Sequence, residues 1–208
     1  MVTRDELRPR FTDTGLAILA VEEYLTPANA DRLVRAGDVV LLTVDNHATR
    51  KLLNDHAARL ADVCLISGGN DGVGPDAAGT TRRGSYGNVQ VYLRVRGRDA
   101  TPPLTHRHPE IAHPADHLPT DQSCTDLVAS VPQILFANLA VASAMLNTLW
   151  LYLSGALHYG EVAFDIADAL MRPVDRLPAP VGLQGSLSAA VTSSMPGCLL
   201  AAPASAES

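Results

Sequence analysis

Lysine is nearly missing from this 208-residue chain, in which Lys51 is the only one. Arginine supplies the other positive charges, and 22 acidic residues outnumber the 16 basic ones, which leaves a formal net charge of -6. Such a chain lacks the basic footprint that non-specific nucleic-acid binding needs, so we expect no nucleic-acid partner. Catalysis by lysine has a single candidate here.

Cysteine is also scarce. Cys64, Cys124 and Cys198 are widely spaced and odd in number, which argues against a disulfide framework and is typical of a reducing compartment. The first 11 residues are charged and contain no apolar core, so they do not form a signal peptide. We therefore expect a cytoplasmic protein.

Charged residues are absent from residues 134–153, a stretch as long as a bilayer crossing. Asn138 and Asn147 interrupt its apolar character. No Lys or Arg lies between Arg107 and Arg172, so the basic flank that is typical of a membrane span is missing. A core helix packed on a sheet has the same composition. We favour the core helix and expect no membrane partner.

Apolar runs alternate with helical patterns in the first half of the chain. Strands are predicted at residues 16–21, 39–44 and 63–66, and helices at residues 28–35, after a Thr26-Pro27 cap, and 47–60. The run 39–44 has no polar alternation, as in strands covered on both faces. This order predicts an α/β fold with a parallel sheet and right-handed crossovers.

The second half is more varied. Residues 71–84 are rich in Gly and Asp and predict a mobile loop, while 88–95 alternate as a half-exposed strand does. Residues 101–120 contain several prolines and predict a long crossover loop, and 161–166 predict a last strand. Beyond Arg176 the chain is mostly Ala, Ser, Pro and Gly. We expect a domain at residues 1–176 and a disordered tail at 177–208.

Asp45 and Asn46 follow the predicted strand 39–44 directly. Open α/β sheets bind ligands at the carboxyl ends of their strands. A carboxylate there can hold Mg²⁺ against a triphosphate, and Asn46 can donate to a phosphate or a sugar. An Asp-Asn pair after a strand is also a good helix N-cap, so these residues alone leave both roles open.

Residues 16–176 resemble the ThiF/MoeB-type adenylyltransferases of the ubiquitin-activating enzyme superfamily. The similarity rests on Val44-Asp45-Asn46 at a strand end, Arg50 and Leu53-Asn54 on the next helix, the glycines that end the strand at 63–69, Cys124 before a long helix of small residues, and the run 160–165. The Asp-Asn…Arg…Asn pattern is the more specific part.

This resemblance implies a Rossmann-like mixed sheet and an enzyme that adenylates the C-terminal glycine of a ubiquitin-like or sulfur-carrier protein. It implies ATP and Mg²⁺ as cofactors, with Asp45 and Asn46 contacting ATP and Asp45 also holding the metal. Cys124 would match the family cysteine that accepts the activated acyl group. No cation near Cys124 in the sequence would activate its thiol, so a half-buried loop cysteine is the alternative.

The chain departs from the family at its amino-terminal side. The Gly-x-Gly-x-x-Gly turn and the ribose-binding acid are missing, which predicts a ThiF-type sheet lacking the first strand–turn–helix nucleotide-binding unit. Three scattered cysteines cannot form two Cys-x-x-Cys zinc pairs, so zinc is not expected. Two functions stay open: an enzyme whose second chain, or second copy, supplies the glycine-rich half, and a non-catalytic scaffold that keeps the carrier-binding half.

Four histidines crowd the predicted crossover loop: His106, His108, His113 and His117, with Glu110 and Asp116 nearby. Imidazoles at this density can bind Zn²⁺. Prolines interrupt any regular register that would bring them together, which favours a solvated loop. In the enzymes that this chain resembles, the crossover passes over the carrier tail, so recognition of that tail is the preferred functional alternative.

Overall fold

The computed structural model describes residues 4–12, 14–75, 79–121 and 133–183, which form an α/β fold around a mixed sheet. The helices are α1 (Arg4–Leu7), α2 (Ala30–Leu33), α3 (His47–Ala57), α4 (Pro109–Ala112) and α5 (Leu135–Leu153). The strands are β1 (Val39–Leu42), β2 (Val63–Asn70), β3 (Val73–Pro75), β4 (Thr81–Arg83), β5 (Tyr86–Val95), β6 (Arg98–Asp99), β7 (Leu157–Asp165) and β8 (Leu170–Val181).

The main sheet has the strand order β1-β2-β5-β7-β8, and the short β6 pairs with β5. β1 and β2 are parallel, as the strand–helix–strand pattern predicted, whereas every later pair in this sheet is antiparallel. β3 and β4 form a separate antiparallel hairpin. The expectation of a mobile loop over residues 71–84 was therefore wrong for the part of that segment which the structure describes.

Helices cover the sheet on both faces, and the core has two parts. α5 packs over β2, β5 and β7 on one face, with Val141 and Met145 pointing into that core. α3 and α4 pack on the other face, where Leu53 and Ile111 meet Tyr92 of β5. Tyr92 is only 1% exposed, so the prediction of a half-exposed strand was wrong. β5 is a central strand, and both of its faces are covered.

The predicted strand at residues 16–21 does not form. Leu16, Leu19 and Val21 of this segment are exposed, Leu19 by 84%. A strand needs a hydrogen-bonded neighbour, and within the described residues β1 is the edge of the sheet with nothing paired beyond it. The same edge position leaves Leu41 40% exposed, so β1 is not covered on both faces as expected.

Two other boundaries differ from prediction. α2 has only four residues and is preceded by a turn in which Asn29 Oδ1 accepts a hydrogen bond from the Thr26 N–H at 2.8 Å. β8 continues to Val181, so the predicted domain boundary at Arg176 lies inside a strand. Residues 184–208, which make up most of the predicted tail and include Cys198, lie outside the described residues.

The long apolar helix predicted near residues 134–153 is confirmed as α5. It is long and apolar enough to cross a membrane by length and composition, with a mean hydropathy of 1.4, a test that core helices of soluble proteins also pass. Only its sheet-facing side is core, because Leu139, Leu146 and Trp150 on the opposite side are each more than half exposed.

Candidate functional site

A cleft of about 740 Å³ opens where the parallel strands β1 and β2 end. Its walls come from the ends of these strands, the start of β5, the amino-terminal half of α5 and the segment at residues 100–121, which we call the crossover segment. Its polar lining includes Asp45, His47, Arg50, Asn88, His108 and Glu110. The cleft lies at the edge where sequence reasoning expected a ligand site.

Glycines form the floor of the cleft because side chains would not fit there. A Cβ on Gly68 would lie 2.3 Å from Met145 Sδ, and one on Gly87 would lie 2.3 Å from Phe164 Cζ. Gly69 is next to the Arg50 guanidinium, whose Nη2 would be 3.2 Å from an added Cβ. The glycines that followed the predicted strand 63–66 therefore continue β2 and allow close packing from both sides.

Arg50 holds the two strand ends together. Its guanidinium is buried and donates to Ser67 Oγ at 2.5 Å, to the Val44 carbonyl at 2.6 Å and to the Gly68 carbonyl at 2.7 Å. Burial lowers the pKa of Arg50, while the negative charges of Asp45 and Asp116 oppose that shift. The hydrogen bonds of Arg50 go to neutral oxygens, so the carboxylates of Asp45 and Asp116 offset its charge only through space.

Two side chains satisfy the amino terminus of α3. Asn46 is the N-cap, with its Oδ1 accepting from the Thr49 N–H at 2.7 Å. Asp116, from the crossover segment, accepts from the His47 and Ala48 N–H groups, both at 2.8 Å. A carboxylate thus occupies the position at which helix amino termini commonly bind anions.

The other predicted site residues have different placements. Asp45 is exposed and lines the cleft, and within the described residues its carboxylate accepts no hydrogen bond. Cys124 falls within residues 122–132, outside the described residues, so its predicted role stays a prediction. Cys64 is buried in β2, and burial raises the pKa of its thiol to about 12, which keeps it protonated.

Sequence reasoning missed a polar cluster at the far wall of the cleft. His108 Nε2 lies 3.0 Å from Glu161 Oε1, and His108 Nδ1 lies 2.8 Å from Glu110 Oε1. Asn88 Nδ2 donates to the same Glu161 oxygen at 2.9 Å. The signal that marked this cluster was Glu161, a carboxylate in the middle of a mostly apolar strand, since a buried charge needs a partner.

The cluster is electrostatically matched. The hydrogen bond to Glu161 raises the pKa of His108, although burial opposes this shift. Burial alone would raise the pKa of Glu161, but hydrogen bonds from His108 and Asn88 outweigh it and lower that pKa. Glu110 behaves in the same way and also has a lowered pKa. When His108 is protonated, the imidazolium between two carboxylates carries one net negative charge, placed at the cleft wall.

The remaining histidines of the crossover segment do not join this cluster. His106, His113 and His117 are exposed, as the solvated-loop alternative predicted. Across the described ranges, no three His, Cys, Asp or Glu side chains are grouped as a metal ion would require. Within the described residues, two buried polar atoms of α3, His47 Nδ1 and Thr49 Oγ1, have no hydrogen-bond partner. His47 also lines the cleft, where a water or a ligand can satisfy it.

Comparison with known proteins adds no assignment. No family model matches this chain, and no curated protein matches its sequence. The site therefore has to be interpreted from its own geometry.

Proposed function

We propose that the cleft binds the C-terminal tail of a ubiquitin-like or sulfur-carrier protein for activation by ATP. In this proposal the sheet is of the ThiF type, and a second chain or a second copy supplies the glycine-rich half that binds most of the nucleotide. The supporting observation is the cleft at the carboxyl ends of the only parallel strand pair in the main sheet of the described residues, with the free Asp45 carboxylate on its wall.

The polar part of the cleft lining suits an extended peptide tail. The space over the glycine floor is already filled by side chains of the protein itself, so such a tail would contact the polar side chains instead. The polar groups of Asn70 and Gln90, also on the lining, can pair with the peptide groups of such a tail. The charge of Arg50 on the lining would attract the tail carboxylate, against the repulsion of Asp45 and Asp116.

Asp45 fits the metal that this function requires. Mg²⁺ in nucleotide sites is held by one or two carboxylates together with phosphates and waters, so one free carboxylate is sufficient. When bound, Mg²⁺ would neutralise charge between the α- and β-phosphates. Asp45 would hold Mg²⁺ next to the tail, and Arg50 would keep the ends of β1 and β2 in place. Cys124 is proposed as the acceptor of the acyl group.

One observation favours the second candidate, a non-catalytic scaffold that keeps the carrier-binding half. Asn46 and Asp116 already satisfy the amino terminus of α3, so neither that helix end nor the Asn46 side-chain oxygen is free for a phosphate. Under this alternative the cleft binds the tail and Asp45 has no metal to hold.

Tail binding is tested first with a synthetic peptide that ends in Gly-Gly with a free carboxylate, titrated into the purified chain by calorimetry. We expect binding, and we expect the C-terminally amidated peptide to bind more weakly, because it lacks the charge that Arg50 favours. ATP alone should bind weakly or not at all, because the glycine-rich turn is missing. Equal affinity for both peptides, or none for either, would contradict the proposal.

The enzyme and the scaffold are separated by Asp45→Asn in an ATP–pyrophosphate exchange assay with the partner that supplies the glycine-rich half. The amide keeps the shape but is a poorer Mg²⁺ ligand, so exchange should fall by more than tenfold while peptide binding persists. Asp55→Asn is the matched control, because Asp55 is an exposed carboxylate of α3 whose hydrogen bonds among the described residues are to Lys51 and Asn54. If exchange persists in Asp45→Asn, the carboxylate has no role as a metal ligand. If no partner restores exchange to the wild type, the scaffold function is supported.

A further inference from the structure

The outward side of α5 is an apolar surface that the described fold leaves uncovered. Its largest side chains are exposed by 57% to 70%: Leu135, Phe136, Leu139, Leu146 and Trp150. We call these five residues the α5 stripe. Single exposed apolar residues are ordinary on protein surfaces, but a contiguous set along one helix marks an interaction site.

Helical geometry separates the stripe cleanly from the core. The buried residues of α5 all face the sheet: Ala137, Val141, Ala144, Met145, Thr148 and Tyr152. Apart from the adjacent Leu135 and Phe136, the stripe residues are spaced by three, four or seven positions, which places them on the opposite side of a helix about 28 Å long. Two apolar faces on one helix indicate two partners, and the sheet is one of them.

Four of the five stripe residues form two pairs that are symmetric about one point on α5, whereas the counterpart of Phe136 is Leu149, which packs against the core. Leu139 and Leu146 are equally far from the midpoint between Ala142 and Ser143, and so are Leu135 and Trp150. Only the small side chains of Ala142 and Ser143 are exposed at the midpoint, which lets a second helix approach closely. A surface that matches its own inverted copy is what a twofold interface requires.

We propose that α5 forms the interface of a homodimer in which two copies of the helix cross antiparallel about a twofold axis near Ala142 and Ser143. Leu139 of each copy then packs against Leu146 of the other. Leu135 packs in the same way against Trp150. Each contact occurs twice, so four pairs of large apolar side chains line the axis.

Charge and area both favour a second copy as the occupant. α5 carries no charged residue, so the helix itself offers no complementary charge to an acidic partner or to an anionic membrane surface. Five side chains of this size and exposure offer on the order of 600 Å² per protomer, close to the roughly 800 Å² of a standard interface. This inference does not depend on the proposed function of the cleft.

The first experiment measures the oligomeric state of the full chain by sedimentation equilibrium. We expect a dimer for the wild type. Leu139→Lys and Leu146→Glu should each be monomeric, because each variant places a charge against leucine. Mixing the two variants should restore a dimer, because the antiparallel register pairs the introduced lysine with the introduced glutamate and leaves the other leucine pair intact. Leu19→Lys, at an apolar and still more exposed position outside α5, should leave the dimer unchanged.

Cysteine cross-linking tests the register with milder changes, in a background carrying Cys124→Ser and Cys198→Ser. Ser143→Cys lies next to the axis and should form a covalent dimer under mild oxidation. Leu135→Cys is on the same face, but its two copies would be about 22 Å apart along the helices, so it should not cross-link. Buried Cys64 should not react in either variant.

Several outcomes would overturn the proposal. They are a monomeric wild type, dimers that survive Leu139→Lys, no rescue on mixing, or equal cross-linking at both positions.

Trp150 is the only tryptophan, so its fluorescence reports whether something other than a second copy covers the α5 stripe. An emission shift to shorter wavelength on adding neutral lipid vesicles would favour a membrane. A shift to longer wavelength in a monomer truncated after Leu183 would favour the chain's own C-terminal residues. Both results contradict a homodimer.

Discussion

Met145 of α5 lies directly over the Cα of Gly68 in β2, so close that a Cβ at residue 68 would be 2.3 Å from Met145 Sδ. Val141 Cγ1, one turn earlier on the helix, would be 2.6 Å away. The helix therefore packs on the sheet through a position with no side chain. This contact sets the height of α5 above the cleft floor.

Gly68→Ala should lower the free energy of unfolding by about 1–3 kcal/mol, because the new methyl group overpacks this contact. Met145→Ala in the same chain should recover part of the loss, since it removes the atoms that the methyl group meets. Chemical denaturation of the two single variants and the double variant measures this coupling. Gly160→Ala is the control, because its Cβ would meet its nearest atom, Asp175 Oδ2, at an ordinary 3.4 Å. Additive single effects would contradict the account.

Asn46→Ala should cost about 1 kcal/mol of stability, because Asn46 is the N-cap of α3, and Asn46→Asp should retain most of it. Asp45→Ala should cost far less, because Asp45 accepts no hydrogen bond within the described residues. Urea denaturation compares the three variants. If Asp45→Ala is as costly as Asn46→Ala, then Asp45 has a structural role in addition to any metal.

The pair of His108 and Glu161 predicts a pH window of extra stability. His108 has a raised pKa, so its contribution is complete below its ordinary pKa of about 6.5 and is lost as pH rises through the raised value. Glu161 has a lowered pKa, so its contribution is present above about 4.3 and is lost as pH falls through the lowered value. The advantage of wild type over His108→Gln should therefore be greatest between about pH 4.5 and 6.5.

Thermal melts across this range measure that advantage. Two neighbouring charges act on the same pair: Glu110 from α4 acts on His108, and Arg107 from the crossover segment acts on Glu161. His106→Gln is the matched control, because His106 is an exposed histidine of the same segment. A difference between wild type and His108→Gln that does not vary with pH would show that the imidazole contributes packing alone.

Truncation locates the true end of the folded unit. A chain ending at Leu183 should melt within about 2 °C of the full chain, because the residues removed include few large apolar side chains. A chain ending at Arg176 should be clearly less stable. It loses the end of β8, where Val181 pairs with Leu157, and the hydrogen bond from the Leu183 N–H to the Tyr152 carbonyl. Equal melting temperatures for the two truncations would contradict this.

Local patterns predicted the elements that depend on nearby residues. The parallel pair β1 and β2 with α3 between them follows from apolar runs and helical spacing. The Asn46 cap follows from the preference of short polar side chains for that position. The prediction of a strand at residues 16–21 was wrong. The apolar pattern of the segment matched a strand, but no described strand pairs with it.

The cleft could be located from the sequence but its polar lining could not. Asp45 was placed by the rule that ligands bind at strand ends. His108 meets Glu161 across 53 residues, and Asp116 meets the amino terminus of α3 across 68 and 69. No local pattern reports such distant pairs. The number of histidines suggested a metal site, whereas the fold uses one histidine, His108, to balance the buried carboxylate of Glu161.

The four-residue length of β1 has a consequence for how selective this edge of the sheet is. Its outer side offers only about two N–H and two C=O groups, because alternate residues point their backbone groups outward. A strand from another protein gains little backbone hydrogen-bonding energy by pairing with so short an edge strand. Short edge strands are one of the ways in which sheets avoid aggregation. A strand that adds here must gain most of its binding free energy from side chains, so this edge discriminates by sequence rather than by backbone.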